Sequence, residues 1–235
     1  MEQEIITALH LPAGFTVTAH AGAFNTPDNS LESVKTILKN KCELIETDVS
    51  FRPDGTPVII HKDDPDADEG VLFADVLRLI AEDPDIRMNL DLKSVRNLPQ
   101  IDRLLREYGL FERAFFTGVG EDWIGQVRSE SAVPTFLNAE PDKKTGKDPE
   151  KLQALADKIR TLGAVGLNSH YSAVTPLCGE ILHKNGLLLS VWTANDKRAI
   201  RRCLAARPDN ITSRHPDLVA QVCLDESKKS CKVIK

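Results

Sequence analysis

Glu46-Thr47-Asp48, then Asp54-Gly55, then His61: this is the stretch of the 235-residue chain whose residue types and spacing could do chemistry. Side chains alternate along a strand, so Glu46, Asp48 and Ser50 leave from one face and Val49 and Phe51 from the other. Asp-Gly signals a tight two-residue hairpin, because both residues tolerate positive φ. A turn centred there pairs Asp48 with His61 and adds an imidazole to the carboxylate face. Taken alone, a half-exposed hairpin with its polar residues in water explains the stretch as well. Its surroundings tip the balance. His20 ends a short β-branched run at 15–19, and Asp91 and Lys93 stand two apart in an alternating run at 87–93.

Glu46, Asp48 and Asp91 are hard oxygen donors, suited to a divalent cation. Few neutral ligands accompany them, so water or substrate oxygens must complete the shell. That is the habit of Mg²⁺, while Ca²⁺ fits a looser site. Zinc is disfavoured, because His20 and His61 have a better use as an acid–base pair near neutral pH. Lys93 can neutralise a phosphate oxygen. The set describes phosphodiester cleavage better than sugar or carbonyl chemistry. An enolising lyase with a metal, Lys93 and a histidine base is the other enzyme class it allows.

The elements that must position these groups follow a simple order. Strand-like runs at 15–19, 43–51, 87–93, 114–117, 135–138, 165–168, 187–193 and 210–212 alternate with helical runs. That alternation means parallel βα units. The expected fold is α/β, a single (β/α)₈ TIM barrel over 1–235, with 57–61 as an extra antiparallel arm. Residues 1–14 read as a lead-in and 227–235 as a flexible tail. A doubly wound sheet is the alternative, but no Gly-rich phosphate loop follows the first strand. Asp28 or Asn29 is the expected cap of the helix at 29–39. In a barrel the site lies at the C-terminal strand ends. Those ends carry His20, Glu46, Asp48, Asp91, Lys93, Asn138, Asn168, Trp192, Thr193 and Asn195.

Bulk properties bound the partners. A net charge of −5 gives no reason to expect nucleic-acid binding. No apolar run approaches the ~20 residues of a membrane span. The opening Met-Glu-Gln-Glu-Ile-Ile lacks the basic and apolar regions of a signal peptide, so the expected location is cytoplasmic. The five cysteines fit no metal or CxxC spacing and read as free thiols, several of them buried on helices.

The blocks Ala19-His20-Ala21-Gly22, Pro27-Asp28-Asn29-Ser30-Leu31, Glu46-Thr47-Asp48-Val49 and Asp54-Gly55-Thr56-Pro57-Val58-Ile59-Ile60-His61 resemble the glycerophosphodiester phosphodiesterase family. Its corresponding patterns are H-R-G, E-N-T-L, E-x-D and D-G-x-x-V-x-x-H. Further on, Asn89-Leu90-Asp91-Leu92-Lys93 resembles its E-x-K strand. Asn168-Ser169-His170-Tyr171, Val191-Trp192-Thr193-Ala194-Asn195 and Ile211-Thr212-Ser213-Arg214-His215-Pro216 resemble its later blocks. The resemblance implies a phosphatidylinositol-phospholipase-like barrel acting on a small phosphodiester. It implies a metal on Glu46, Asp48 and Asp91, a catalytic pair His20 and His61, and a pocket lined by Trp192. Four departures stand out. Ala21 replaces the phosphate-binding Arg of H-R-G, Asp28 and Asp91 shorten the usual Glu, and the segment from His61 to Asp91 is brief. The loss of a guanidinium removes a bidentate contact. A homologue that binds phosphodiesters without turning them over is therefore the alternative reading.

Overall fold

The computed structural model describes residues 2–233. Its strands are β1 (Thr16–Ala19), β2 (Leu44–Phe51), β3 (Pro57–Ile59), β4 (Val71–Leu72), β5 (Arg87–Leu92), β6 (Ala114–Thr117), β7 (Leu137–Asn138), β8 (Gly166–His170), β9 (Leu188–Trp192) and β10 (Asn210–Ser213). Parallel pairings run β7-β8-β9-β10-β1-β2-β5-β6. A parallel bridge from Phe116 to Thr135 joins β6 to the approach of β7 and completes the circuit. The eight strands therefore form the expected (β/α)₈ barrel. β3 and β4 extend β2 on the outside as antiparallel arms.

The helices are α1 (Glu2–Leu9), α2 (Leu31–Lys39), α3 (Phe73–Ile80), α4 (Leu98–Glu107), α5 (Ile124–Glu130), α6 (Pro149–Thr161), α7 (Pro176–Lys184), α8 (Lys197–Ala205) and α9 (Pro216–Val233). Local chemistry starts several of them. Asp148, Thr175 and Asp196 accept hydrogen bonds from first-turn amides of α6, α7 and α8. Pro149 and Pro176 occupy the first helical positions, where a missing N–H costs nothing. The outer core between strands and helices is apolar, with Val49, Phe51, Phe73, Leu77 and Met88 fully buried.

The barrel interior is layered. Leu44, Phe115 and Phe136 form a separate apolar cluster, the two rings 5.4 Å apart. Leu44, Glu46 and Asp48 share the inward face of β2, so this cluster is the floor beneath the carboxylates. A small polar layer lies between floor and mouth. In it Thr18 Oγ1 donates to Asn210 Oδ1 at 2.8 Å, and Thr117 Oγ1 donates to Asn89 Oδ1 at 2.7 Å.

Several expectations need adjustment. Residues 2–9 form a helix, which packs on α9. Helix α9 runs to Val233, well past the end expected at Glu226. Ser30 caps α2, its Oγ accepting from Ser33 N at 3.0 Å. The hairpin register is shifted by one residue. Ser50 faces Val58 and Phe51 faces Pro57, so Asp48 lies opposite Ile60 and not His61. The reason is the loop. Gly55 N donates to Arg52 O, Arg52 N donates to Thr56 O, and Gly55 sits at φ 83°. This is a three-residue turn closed by a left-handed glycine, which the dipeptide signal does not separate from the two-residue form. Cys42, Cys178, Cys203 and Cys223 are free thiols, while the side chain of Cys231 lies outside the described residues. Burial pushes the Cys203 thiol up to about 12.

Candidate active site

At the C-terminal mouth of the barrel lies a cavity of about 640 Å³. Its wall includes His20, Glu46, Asp48, His61, Asp91, Lys93, Asn168, Trp192 and Asn195, every site residue expected from sequence. It also includes Asp28, Asp63, Asn89, Trp123 and Arg214.

Strand register assembles the acids. Asp48 on β2 pairs directly with Asp91 on β5, and Glu46 stands one inward position below Asp48. Glu46, Asp48 and Asp91 each present an oxygen within 4.8 Å of the others. Three carboxylates so close repel unless a cation lies among them. Glu46 carries the consequence. Burial, then the charges of Asp48 and Asp91, push its carboxyl well above the usual range. The Ala21 amide donates to Glu46 Oε2 at 2.7 Å and opposes this. The donor set is all oxygen, anionic and open on the cavity side, which fits a hard divalent cation.

Lys93 leaves β5 two residues beyond Asp91 and points the same way. Its Nζ lies 3.0 Å from Asp48 Oδ1 and also contacts Asp91 Oδ2. Burial pulls its pKa down, but Asp91 and Asp48 outweigh burial and hold it above the usual lysine value. Burial raises Asp48, yet Lys93 and the Asn29 amide prevail and leave it below its usual value.

Each imidazole is anchored at Nδ1. His20 Nδ1 is 2.7 Å from the Ala21 carbonyl, an acceptor only, so Nδ1 carries a proton. His61 Nδ1 is 3.1 Å from Asp48 Oδ2. Asp48 is held ionised, so the same tautomer follows there. In both neutral rings Nε2 is then the proton acceptor. Burial lowers the His20 pKa, against the pull of the Ala21 carbonyl. His61 lies one residue past its antiparallel ladder and is 73 % exposed, so the shifted register still allows it to reach Asp48.

Sequence reading missed two residues of consequence. Asn29 does not cap α2. Its Nδ2 donates to Asp48 Oδ2 at 2.6 Å, and its Oδ1 accepts from Asp48 N at 3.0 Å. It does so from left-handed backbone, φ 50°, which Asn tolerates better than most residues. Arg214, just past β10, makes a bidentate pair with Asp28, both contacts 2.6 Å. Asn195 Oδ1 accepts from Arg214 N at 2.9 Å and seats the backbone there. On the far wall, Asn168 Nδ2 donates to Asn138 Oδ1 at 3.0 Å, and Trp192 packs edge-on against His170 at 5.3 Å.

Comparison with sequence models of known families finds no match. Among curated proteins, the chain is 24 % identical over 238 residues to a glycerophosphodiester phosphodiesterase of Caldanaerobacter subterraneus subsp. tengcongensis, covering 86 % of this chain and 94 % of the relative. Solved structures repeat the fold. A glycerophosphodiester phosphodiesterase of Thermotoga maritima superposes with a TM-score of 0.69 at 15 % identity, over 88 % of this chain and 98 % of that one. An Oleispira antarctica phosphodiesterase, solved in complex with its product sn-glycerol-3-phosphate, gives 0.71 at 18 % identity, over 92 % and 98 %. Among the described residues no helix is long and apolar enough to cross a membrane. The structural likeness carries the fold. In sequence the chain is similar to a curated glycerophosphodiester phosphodiesterase, and in fold to solved structures of proteins of that name.

Proposed function

We propose that this protein is a metal-dependent phosphodiesterase that cleaves a glycerophosphodiester-like substrate to an alcohol and a phosphomonoester or cyclic phosphate. One observation carries the reading. Two imidazoles, each anchored through Nδ1, share a cavity with the Glu46–Asp48–Asp91 cluster and with a charged lysine.

Glu46, Asp48 and Asp91 would hold the divalent cation, Mg²⁺ or alternatively Ca²⁺. When bound, it supplies Lewis-acid stabilisation of charge on a phosphoryl oxygen. Lys93 adds a fixed positive charge beside the same oxygens. His20, kept neutral by burial, accepts through Nε2 the proton of the attacking hydroxyl as the new P–O bond forms. His61 in its charged form delivers its Nε2 proton to the leaving alkoxide as the old P–O bond breaks. If the attacking hydroxyl belongs to the substrate, the product is a cyclic phosphate and one alcohol. Water then opens the ring with the two histidines in exchanged roles, restoring both protonation states. Asn168 on β8 and Trp192 on β9 wall the side of the cavity across from β2 and β5, where the substrate's alcohol groups would lie.

The free thiols Cys42, Cys178, Cys203 and Cys223 fit a reducing compartment, the cytoplasm, and the partner is a small phosphodiester. Ala21 favours a second reading, a phosphodiester-binding protein without turnover. One experiment separates the two. A panel of glycerophosphodiesters is incubated with Mg²⁺, Ca²⁺ or Mn²⁺ and followed by phosphorus NMR. Cleavage that disappears with chelator, and falls about 10²–10⁴-fold in His20→Ala and His61→Ala, is the expected result. Saturable binding without cleavage under every metal would leave the second reading in place.

A further inference from the structure

The cavity is lined by five carboxylates, Asp28, Glu46, Asp48, Asp63 and Asp91, against two permanent cations, Lys93 and Arg214. An anionic diester entering it needs a cation not already committed to the acid cluster. Lys93 is committed, since it bridges Asp48 and Asp91. Arg214 is not. Its carboxylate partner, Asp28, stands apart from the cluster and is 52 % exposed.

The geometry leaves Arg214 with donors to spare. A guanidinium has five N–H donors. Two go to Asp28, one each from Nη1 and Nη2. Three remain, enough for a forked contact with a phosphate. Asp28 fixes the plane of the group, and Asn195 Oδ1 fixes the backbone that carries it. The place is equally informative. A Cβ built on Gly22 would lie 2.8 Å from Arg214 Nη1 and 2.0 Å from Asp28 Oδ1. The guanidinium therefore lies over the backbone of the loop that leaves β1, one residue from Ala21 and two from His20. A glycine at 22 is what allows it to lie so close.

We infer that Arg214 is the phosphate-binding guanidinium of this site, delivered from the end of β10 to the place that an arginine at position 21 would otherwise serve. Asp28 is its positioning partner. The inference rests on the phosphodiesterase reading for the nature of the ligand, but its test is a binding measurement that needs no turnover.

Inorganic phosphate is titrated by calorimetry, in the presence of Mg²⁺, into the full chain and into Arg214→Ala, Arg214→Lys and Asp28→Asn. The pair is half-exposed, so all three variants are expected to fold, and thermal melts check this. Loss of a charge-assisted forked contact weakens phosphate by about 10- to 100-fold in Arg214→Ala. Arg214→Lys keeps the charge without the fork and recovers part of the loss. Asp28→Asn keeps one oxygen to orient the guanidinium and removes a competing charge, so it weakens phosphate far less than Arg214→Ala does. A simple tether between the two loops makes a different forecast, in which Arg214→Ala and Asp28→Asn weaken phosphate equally. That result overturns the inference, as does an Arg214→Ala protein that binds like the parent. A parent chain that binds no phosphate overturns it too. Diester cleavage by the parent is scored alongside. Its absence would count against the phosphodiesterase reading alone, because the ranking of phosphate affinities stands without it.

Discussion

Three carboxylates crowd one small volume, and Glu46 bears most of the strain. It is 4 % exposed, and burial followed by the charges of Asp48 and Asp91 raises its pKa well above 4.5. A group with a raised folded pKa lends stability that is fully present below its unfolded value and is lost as pH rises through the folded value. The chelated protein should therefore lose stability from about pH 4.5 upward through Glu46's raised value, and a bound divalent cation should restore it. Thermal melts at several pH values, with chelator and with Mg²⁺, read this directly. The metal-induced rise in Tm should grow with pH. Glu46→Gln should melt higher than the parent in chelator at pH 8, by about 2–4 °C for each kcal/mol of repulsion removed, and respond less to metal. A Glu46→Gln protein less stable than the parent in chelator would contradict the account. The acids and histidines were legible in the sequence because alternation and strand ends fix where such side chains point. Asn29 and Arg214 were not. Asn29 reads as a helix cap by type, and only the left-handed turn at 29 aims its amide at Asp48. Arg214 lies 186 residues from Asp28, and no local pattern announces a pairing of that span.

At the scale of elements, strand ends and turns decide how well those residues are aimed. Gly118, directly after β6, has φ 76° and packs on β5. A Cβ there would meet Leu92 O at 2.5 Å, Leu92 N at 2.8 Å and Asp91 Cγ at 3.2 Å. Gly109, after α4, has a similar φ of 69° but nothing within 4 Å of a built Cβ. The two glycines separate backbone strain from contact. Gly109→Ala should cost about 1–2 kcal/mol for its left-handed conformation alone. Gly118→Ala should cost that and more, and should weaken divalent-metal binding, because the methyl pushes on the strand that carries Asp91. Urea unfolding and metal titration of both variants make the comparison. Equal stability loss with unchanged metal affinity would mean that β5 yields without moving its carboxylate. The hairpin teaches the same lesson from the other side. Asp54-Gly55 announces a turn, but loop length sets the register, and one extra loop residue moves Ile60 opposite Asp48. His61 keeps its contact with Asp48 only because it lies beyond the last ladder pair.

At the scale of the molecule, the barrel was legible because strand-like and helical runs alternate along the whole chain, and parallel strands need such crossovers. What alternation does not show is how evenly the ring is sewn. β2 and β5 share six paired positions, and β8 and β9 share five. Between β6 and β7 the ladder shrinks to the single bridge of Phe116 and Thr135. The chain there contains Val133-Pro134-Thr135, and proline cannot donate to a ladder, which limits the strand to Leu137–Asn138. The bridge consists of Phe116 N donating to Pro134 O at 2.8 Å and Phe136 N to Phe116 O at 2.9 Å, and beyond it the seam is held by Asn138 N donating to Val119 O at 2.7 Å and Asn138 Oδ1 taking Gly118 N at 2.9 Å. Beneath them Phe115 and Phe136 pack across the gap as part of the floor. Local opening follows the density of such bonds. Native-state hydrogen exchange should therefore find the amides of Phe136 and Asn138 opening at lower free energy than those of Glu46 and Thr47 in the well-paired β2. Phe136→Ala removes the ring that bridges the seam from below, and should cost about 3–5 kcal/mol in global stability. It should also widen the gap in exchange rates between the two sets of amides. Uniform protection around the ring would show that the floor, rather than the ladder, holds the barrel closed at this point.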